Sequence, residues 1–180
     1  MVKPFMPESI ETGDLVLRRY RADEGAAIAG AVCESGRQLS RYETWAHAAF
    51  TEEEGRDYAA WWDRAWEESN ARYFGIWRND RYLGSVGLSE ISLEHRTAAL
   101  GFWVRSAEAG RGVATAGATA VVEAGFEHLG LQRIEVMSAV DNAASLRVAE
   151  KIGARHEGIL RKRQVLEGMP NDCSLSAIVR

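Results

Sequence analysis

The chain has 180 residues, 46% of them hydrophobic and 27% charged, and a net charge of −4. That composition fits one globular domain and excludes the disordered, collagen-like and low-complexity classes. No run approaches the ~18–20 apolar residues of a membrane span, and Met1 to Ile10 lacks an apolar segment of signal-peptide length, so a cytoplasmic protein is expected.

Charge is unevenly spread. Residues 1–90 hold 11 Lys and Arg against 16 Asp and Glu, a balance of −5, and residues 91–180 hold 11 against 10, a balance of +1. An acidic chain without a basic stripe argues against nucleic acid as a partner. Cys33 and Cys173 stand far apart with no C-x-x-C pair, and His47, His95, His128 and His156 are scattered without ligand spacing. Both cysteines read as structural, and no metal is expected.

The first strand is expected at Leu15–Tyr20, after which Asp23 suits the N-cap of an Ala-rich helix through Cys33. Leu39 to Phe50 is a connection containing aromatic residues. Thr51 and Glu54 have capping-box spacing, with acids in the first turn, so a second helix begins there. Tyr58, Trp62 and Trp66 fall at steps of four along it and form a stripe facing the core. Strands at Tyr73–Arg78 and Tyr82–Ile91 flank the turn residues Asn79-Asp80-Arg81 and make a hairpin. Thr97–Val104 adds a third strand. Gly110-Arg111-Gly112 then leads into a helix from Val113 to Leu129, ending at Gly130.

A strand at Ile134–Val140 follows, and Asp141-Asn142 opens a short helix that ends at Ile152 with Gly153 as its C-terminal cap. A closing hairpin at Gly158–Leu166 and Asp172–Val179 completes the order β-α-α-β-β-β-α-β-α-β-β. The expected fold class is a single α/β domain built on a mixed, mostly antiparallel sheet, with one strand–helix–strand crossover in its middle.

The segment with chemical content is Gly101-Phe102-Trp103-Val104-Arg105 followed by Arg111-Gly112-Val113-Ala114-Thr115. A strand, a turn and a glycine-flanked helix start place unpaired N–H groups and the positive end of a helix dipole where phosphate oxygens bind. No Lys follows the glycines, so this is not a P-loop. Thr115 occupies the third glycine position of a dinucleotide fingerprint, and the antiparallel meander is wrong for that fold.

Taken with Leu129-Gly130-Leu131-Gln132-Arg133-Ile134-Glu135 and with Asp141-Asn142-Ala143-Ala144-Ser145-Leu146-Arg147-Val148-Ala149-Glu150-Lys151-Ile152-Gly153-Ala154, this run resembles the GNAT superfamily of acyl-CoA-dependent N-acetyltransferases. It is most similar to the RimJ/RimL branch, which acetylates ribosomal-protein N-termini. Leu15-Val16-Leu17-Arg18 and Glu157-Gly158-Ile159-Leu160-Arg161 match that branch too. The likeness runs from about Glu11 to the end, so residues 1–10 read as an N-terminal extension and 11–180 as the N-acetyltransferase domain.

The resemblance implies a splayed central strand pair, Leu100–Val104 and Ile134–Val140, with acetyl-CoA as acyl donor between them. Its pantetheine arm would pair with the backbone of Phe102, Trp103 and Val104, and its pyrophosphate would sit on Arg111, Gly112, Val113, Ala114 and Thr115. Asn142 would touch the pantetheine, and the Ser145 hydroxyl would serve the leaving thiolate. Arg147 and Lys151, one helical turn apart, read first as solvated.

Three departures from the branch stand out. Ala109 replaces an Arg or Gln, Ala99 replaces a strand Glu in Ala98-Ala99-Leu100-Gly101, and Ala154 excludes a Tyr acid after Gly153. The acceptor amine must lose a proton, and Glu90 is the base expected from sequence, with His95 second. An α-amine of pKa ~7.7–8.0 costs ~0.5 kcal/mol to deprotonate near pH 7.4, against ~4 kcal/mol for a Lys amine of pKa ~10.4. A protein N-terminal α-amine is therefore the expected acceptor, in a pocket built from Arg37–Phe50, the Trp-bearing helix and the Glu90 turn. The alternatives are a small-molecule amine acceptor, another acyl-CoA such as succinyl-CoA, or a non-catalytic acyl-CoA-binding module. The resemblance also leaves room for a homodimer.

Overall fold

The computed structural model describes residues 5–68 and 70–180. The chain runs β1 (Ser9–Thr12), β2 (Leu15–Arg19), α1 (Gly25–Leu39), α2 (Glu52–Glu67), β3 (Arg72–Arg78), β4 (Arg81–Ser92), β5 (Thr97–Val104), α3 (Val113–Leu129), β6 (Arg133–Ala139), α4 (Ala143–Lys151), β7 (Arg155–Leu166) and β8 (Met169–Val179). The strands form one eight-stranded sheet in the order β1-β2-β3-β4-β5-β6-β8-β7. Every neighbouring pair is antiparallel except β5–β6, the parallel pair that α3 connects.

The expected elements are present, with two differences. The sheet begins at Ser9, because Thr12 and Leu15 pair across a tight turn in which Gly13 takes φ 59°, and Met6 ahead of it is only 1% exposed. Asp23 does not cap the first helix. The chain enters through a 3₁₀ turn at Ala22–Glu24, where the Glu24 carboxylate accepts from the Arg21 amide at 3.0 Å and pairs with Arg18. The helix starts at Gly25 and continues past Cys33 to Leu39. Its start lies backbone to backbone against α2: a Cβ on Gly55 would come within 2.2 Å of the Gly25 carbonyl oxygen. Thr51 caps α2 as its spacing predicts, its hydroxyl accepting from the Glu54 amide at 3.2 Å while Glu54 accepts from the Thr51 amide at 2.7 Å.

Two apolar clusters lie on opposite faces of the sheet. On one face Leu17, Phe74, Ile76, Val86, Leu88, Leu100 and Ile134 pack with Val121, Val122 and Phe126 of α3. Each such large aliphatic side chain contributes ~1.5–3 kcal/mol by leaving water. Leu88 is 0% exposed, and Leu88→Ala would cost ~2–5 kcal/mol from lost burial and the cavity left behind. On the other face Ile28 and Val32 of α1, with Ala59 of α2, cover Tyr20, Trp77, Tyr82 and Trp103. This second face is unusually aromatic. Tyr20 donates to Ser85 Oγ at 2.7 Å and lies 3.0 Å from the Tyr82 hydroxyl, so its buried phenol is hydrogen-bonded. Burial pushes the ionisation of Tyr20 and Tyr82 well above the ordinary phenol range. The stripe on α2 divides: Trp66 is buried against Phe74, Tyr58 and Trp62 pack on the aromatic face, and Trp61 stays 65% exposed.

Candidate active site

β5 and β6 pair over three registers, Thr97↔Arg133, Ala98↔Ile134 and Ala99↔Glu135, and then part. From Leu100 onward β5 remains bonded to β4 as far as Val104, and the Arg105 amide continues that pairing by donating to the Leu83 carbonyl at 2.7 Å. The other edge of β5 faces a cleft of about 280 Å³, bounded by Leu100–Val104 on one side and Val136–Ala139 on the other. A strand edge without a strand partner can take an extended ligand by backbone pairing. Phe102, Trp103 and Val104 all line it. The Trp103 indole is turned to the aromatic face, where Nε1 donates to the Tyr58 hydroxyl at 3.1 Å, so what Trp103 offers the cleft is main chain.

The cleft continues onto the start of α3 through Gly110, Gly112, Val113, Ala114 and Thr115. Gly112 is the N-cap with φ 84°, a left-handed conformation that a side chain would strain. It brings no side-chain cap, and the first turn of α3 carries no acid. The Ala116 amide bonds back to Gly112. The amides of Val113 to Thr115 precede that bond and present the unpaired, positive end of the helix to the cleft. Arg111 behaves differently from expectation. It is exposed and outside the cleft wall, and its amide donates to the Glu108 carbonyl at 3.3 Å. Glu108, 3% exposed, is held by Arg78 at 2.9 Å and Arg81 at 3.3 Å.

Across the cleft, α4 brings in Asn142 and Ser145. Asn142 Oδ1 accepts from the Ser145 amide at 3.1 Å and caps the helix. The Ser145 hydroxyl lies 2.7 Å from that of Ser138 on β6. Ser138 escaped the sequence reading, because a lone Ser inside a strand carries no signal until the fold sets it beside another hydroxyl. Arg147 and Lys151 are exposed but stand on the cleft wall.

The open end is crossed by the segment after α1. Arg41 pairs with Asp141 at 2.7 Å, the Tyr42 hydroxyl donates to the Asp141 carbonyl at 3.3 Å, and Gln164 of β7 donates to the Tyr42 carbonyl at 3.3 Å. The end of α1 and this strap place Gln38, Leu39, Tyr42 and Glu43 on the cleft wall. Glu43 is half-buried and accepts from Trp45 Nε1 at 2.9 Å. Burial pushes its carboxyl above the ordinary range, and the Trp45 bond offsets this only in part. Tyr73 on β3 lies across Gly87 and Gly101: a Cβ on Gly101 would come within 2.1 Å of its hydroxyl oxygen. Trp62 stacks on the Tyr73 ring at 3.7 Å. Burial raises the Tyr73 phenol, so it stays protonated at neutral pH.

Glu90, the base expected from sequence, is not on the cleft wall. It is exposed in the bulge between Ser89 and Ser92, with φ 52°. The bulge is what sequence reading missed, since an extra residue in a strand reverses which face a side chain takes. His95 is exposed in the following turn, also off the cleft wall.

The family profile for the acetyltransferase (GNAT) domain matches residues 14–155. The uncharacterised N-acetyltransferase YoaA of Bacillus subtilis is 30% identical over 176 residues, covering 95% of this chain and 96% of that protein. The ribosomal-protein-serine acetyltransferase of Escherichia coli is 24% identical over 146 residues, covering 81% and 82%. Among solved structures, the ribosomal alpha-N-protein acetyltransferase RimL in complex with coenzyme A superposes with a TM-score of 0.89 at 21% identity, covering 96% of this chain and 98% of that one. RimJ of Mycobacterium smegmatis, in complex with a CoA disulfide, gives 0.88 at 22% identity, covering 98% and 88%. A domain profile over residues 14–155 and a relative aligned along nearly the whole chain agree with the α/β fold and its parted strands. The chain belongs to the GNAT N-acetyltransferase family.

Proposed function

We propose that this protein transfers an acetyl group from acetyl-CoA to a primary amine, with protein N-terminal α-amines as the acceptor class, in a cytoplasmic setting. The observation that carries the reading is the parting of β5 from β6 after Ala99, which opens a strand edge directly onto the uncapped start of α3. An extended thiol arm fits the edge and a pyrophosphate fits the helix start, so one ligand with both parts spans the cleft. RimL and RimJ are solved with CoA or a CoA disulfide on the same fold, which supports the donor.

The chain's own groups then divide the work. Backbone from Phe102 to Val104 orients the thioester arm, and the amides of Val113 to Thr115 hold the phosphates. Ser145, aligned by Ser138 and by the Asn142 cap, stands ready to give a proton to the departing thiolate. Holding amine and thioester together supplies most of the acceleration, and no covalent enzyme intermediate is needed.

The acceptor class rests on proton cost together with resemblance. An α-amine needs ~0.5 kcal/mol to lose its proton near neutrality and a Lys amine ~4 kcal/mol, so a modest base suffices for the first. The test is thiol release from acetyl-CoA with three acceptor sets: peptides with a free N-terminus, N-blocked peptides carrying Lys, and small amines. Turnover confined to free N-termini is expected. Turnover with small amines alone would overturn the acceptor class, and acetyl-CoA binding without turnover on any set would overturn the transfer itself.

A further inference from the structure

We infer that Glu43, on the strap after α1, is the catalytic base that receives the acceptor's ammonium group and takes its proton. The inference rests on the acetyl-transfer reading above and assigns a residue to its acceptor side.

Two carboxylates stand on the cleft wall, Glu43 and Glu108. They are unlike in every respect that matters. Glu108 lies at the α3 end, is almost fully buried, and is neutralised by Arg78 and Arg81. Glu43 lies at the strap end and, among the described residues, has no Arg, Lys or His within ion-pair reach. The buried Glu24 also has its Arg partner, so of the two carboxylates on the cleft wall Glu43 alone stands without a protein cation. A half-buried carboxylate with no protein cation calls for a cation from outside, and the substrate of this reaction brings one as its ammonium group.

The surroundings agree. Trp45 Nε1 donates to one carboxylate oxygen, fixing its direction and leaving the second oxygen for the substrate. The groups that face Glu43 from neighbouring elements are Tyr58 of α2 and Tyr73 of β3, whose phenols sense its charge and remain protonated. On the strap itself Arg41 is committed to Asp141. Arg147 and Lys151 stand on the α4 part of the wall. The carboxyl's own upward shift from burial moves it toward an α-amine's pKa, which suits a base working near neutral pH.

The proton count closes. Glu43 takes one proton from the ammonium, and the neutral nitrogen lone pair attacks the thioester carbon. The C–N bond forms and the carbonyl π electrons move to oxygen. On collapse the C–S bond breaks with its electron pair going to sulfur. The second nitrogen proton is lost as the amide forms, and the thiolate gains one from the Ser145 hydroxyl, which recovers that proton. The products are amide, free CoA thiol and a protonated Glu43 that releases its proton to water.

The test is the pH profile of kcat/KM for a free N-terminal peptide in wild type, Glu43→Gln, Glu43→Asp and Glu90→Gln, with acetyl-CoA affinity by calorimetry and the thermal midpoint for each. Wild type should give a bell: a rise as Glu43 ionises and a fall as the ammonium form disappears. Glu43→Gln should lose ~10²–10⁴-fold in kcat/KM, keep its acetyl-CoA affinity, and rise monotonically through the amine's own pKa of ~7.7–8.0. Glu43→Asp should lie between them with the bell retained. A Glu43→Gln enzyme within about threefold of wild type, or a larger loss in Glu90→Gln, would overturn the assignment while wild-type turnover leaves the transfer reading standing. Acetyl-CoA binding with no turnover by wild type would overturn both.

Discussion

Gly101 lies on β5 just past the point where β5 and β6 part, and Gly101→Ala tests how tightly this part of the cleft is packed. The added Cβ would lie 2.1 Å from the Tyr73 hydroxyl oxygen and 3.3 Å from its Cζ. Gly101 is not among the residues with positive φ, so any cost comes from contact rather than from backbone strain. Tyr73 has little room to yield: Trp62 stacks on its ring at 3.7 Å, and its Cγ passes within 2.5 Å of where a Gly87 Cβ would be. Forcing a methyl into such a site costs ~1–3 kcal/mol. For a domain of this length each kcal/mol lowers the midpoint by ~2–4 °C, so a fall of ~2–12 °C is expected.

The offending atom is the hydroxyl oxygen, and Tyr73→Phe removes it. The double variant should therefore recover most of the loss, giving a coupling of ~1–2 kcal/mol in a double-mutant cycle. Urea unfolding with unchanged m-values reads all four corners of the cycle. A fully stable Gly101→Ala, or a double variant no better than the sum of the singles, would refute the claim that Tyr73 is clamped over these two glycines.

Four further outcomes follow from the same geometry. Thr51→Ala removes the α2 cap and should cost ~1 kcal/mol in thermal or urea unfolding. Its partner Glu54, held down to about 2 by the Thr51 amide and then by His47, contributes stability that is present above its unfolded pKa and is lost as pH falls toward 2, so Glu54→Gln should flatten that acid limb of the midpoint-versus-pH curve. Glu43 has the opposite sign. Its raised carboxyl makes the folded state bind more protons than the unfolded one, so stability falls as pH rises above the unfolded value of ~4.3, and Glu43→Gln should have a higher midpoint than wild type at pH 8 and none of that advantage at pH 3.5. Ser138→Ala leaves Ser145 with its Asn142 cap but without the 2.7 Å hydroxyl contact, so kcat should fall about tenfold with acetyl-CoA affinity unchanged, a split that isothermal titration beside steady-state kinetics can read.

The β5–α3–α4 part of the cleft was legible in the sequence because it is local. Gly112 at a helix start, the Asp141-Asn142 opening of α4 and the strand ending at Val104 each carry their own propensity, and they follow one another along the chain. Phe102 to Val104, Gly112 to Thr115, Asn142 and Ser145 all reach the cleft wall, with Arg111 the exception because its turn points it outward. The strap end of the cleft was not legible. Glu43 lies in a connection with no periodicity, and it reaches the cleft wall in a segment tied by a salt bridge and hydrogen bonds to Asp141 and Gln164. Glu90 lies off the cleft wall because of a bulge that strand alternation does not announce.

The sequence by itself determined the order of strands and helices, the α/β class, the glycine-started helix and the family, since these rest on short-range propensity and contiguous motif. Only the tertiary structure decided which of 26 acidic residues stands unneutralised in the cleft, because pairing and burial depend on neighbours distant along the chain. The net charge of −4 says nothing of this. A single carboxylate, half-buried and left without a protein cation, outweighs the sum, since the energy of a charge is set by its surroundings rather than by the total.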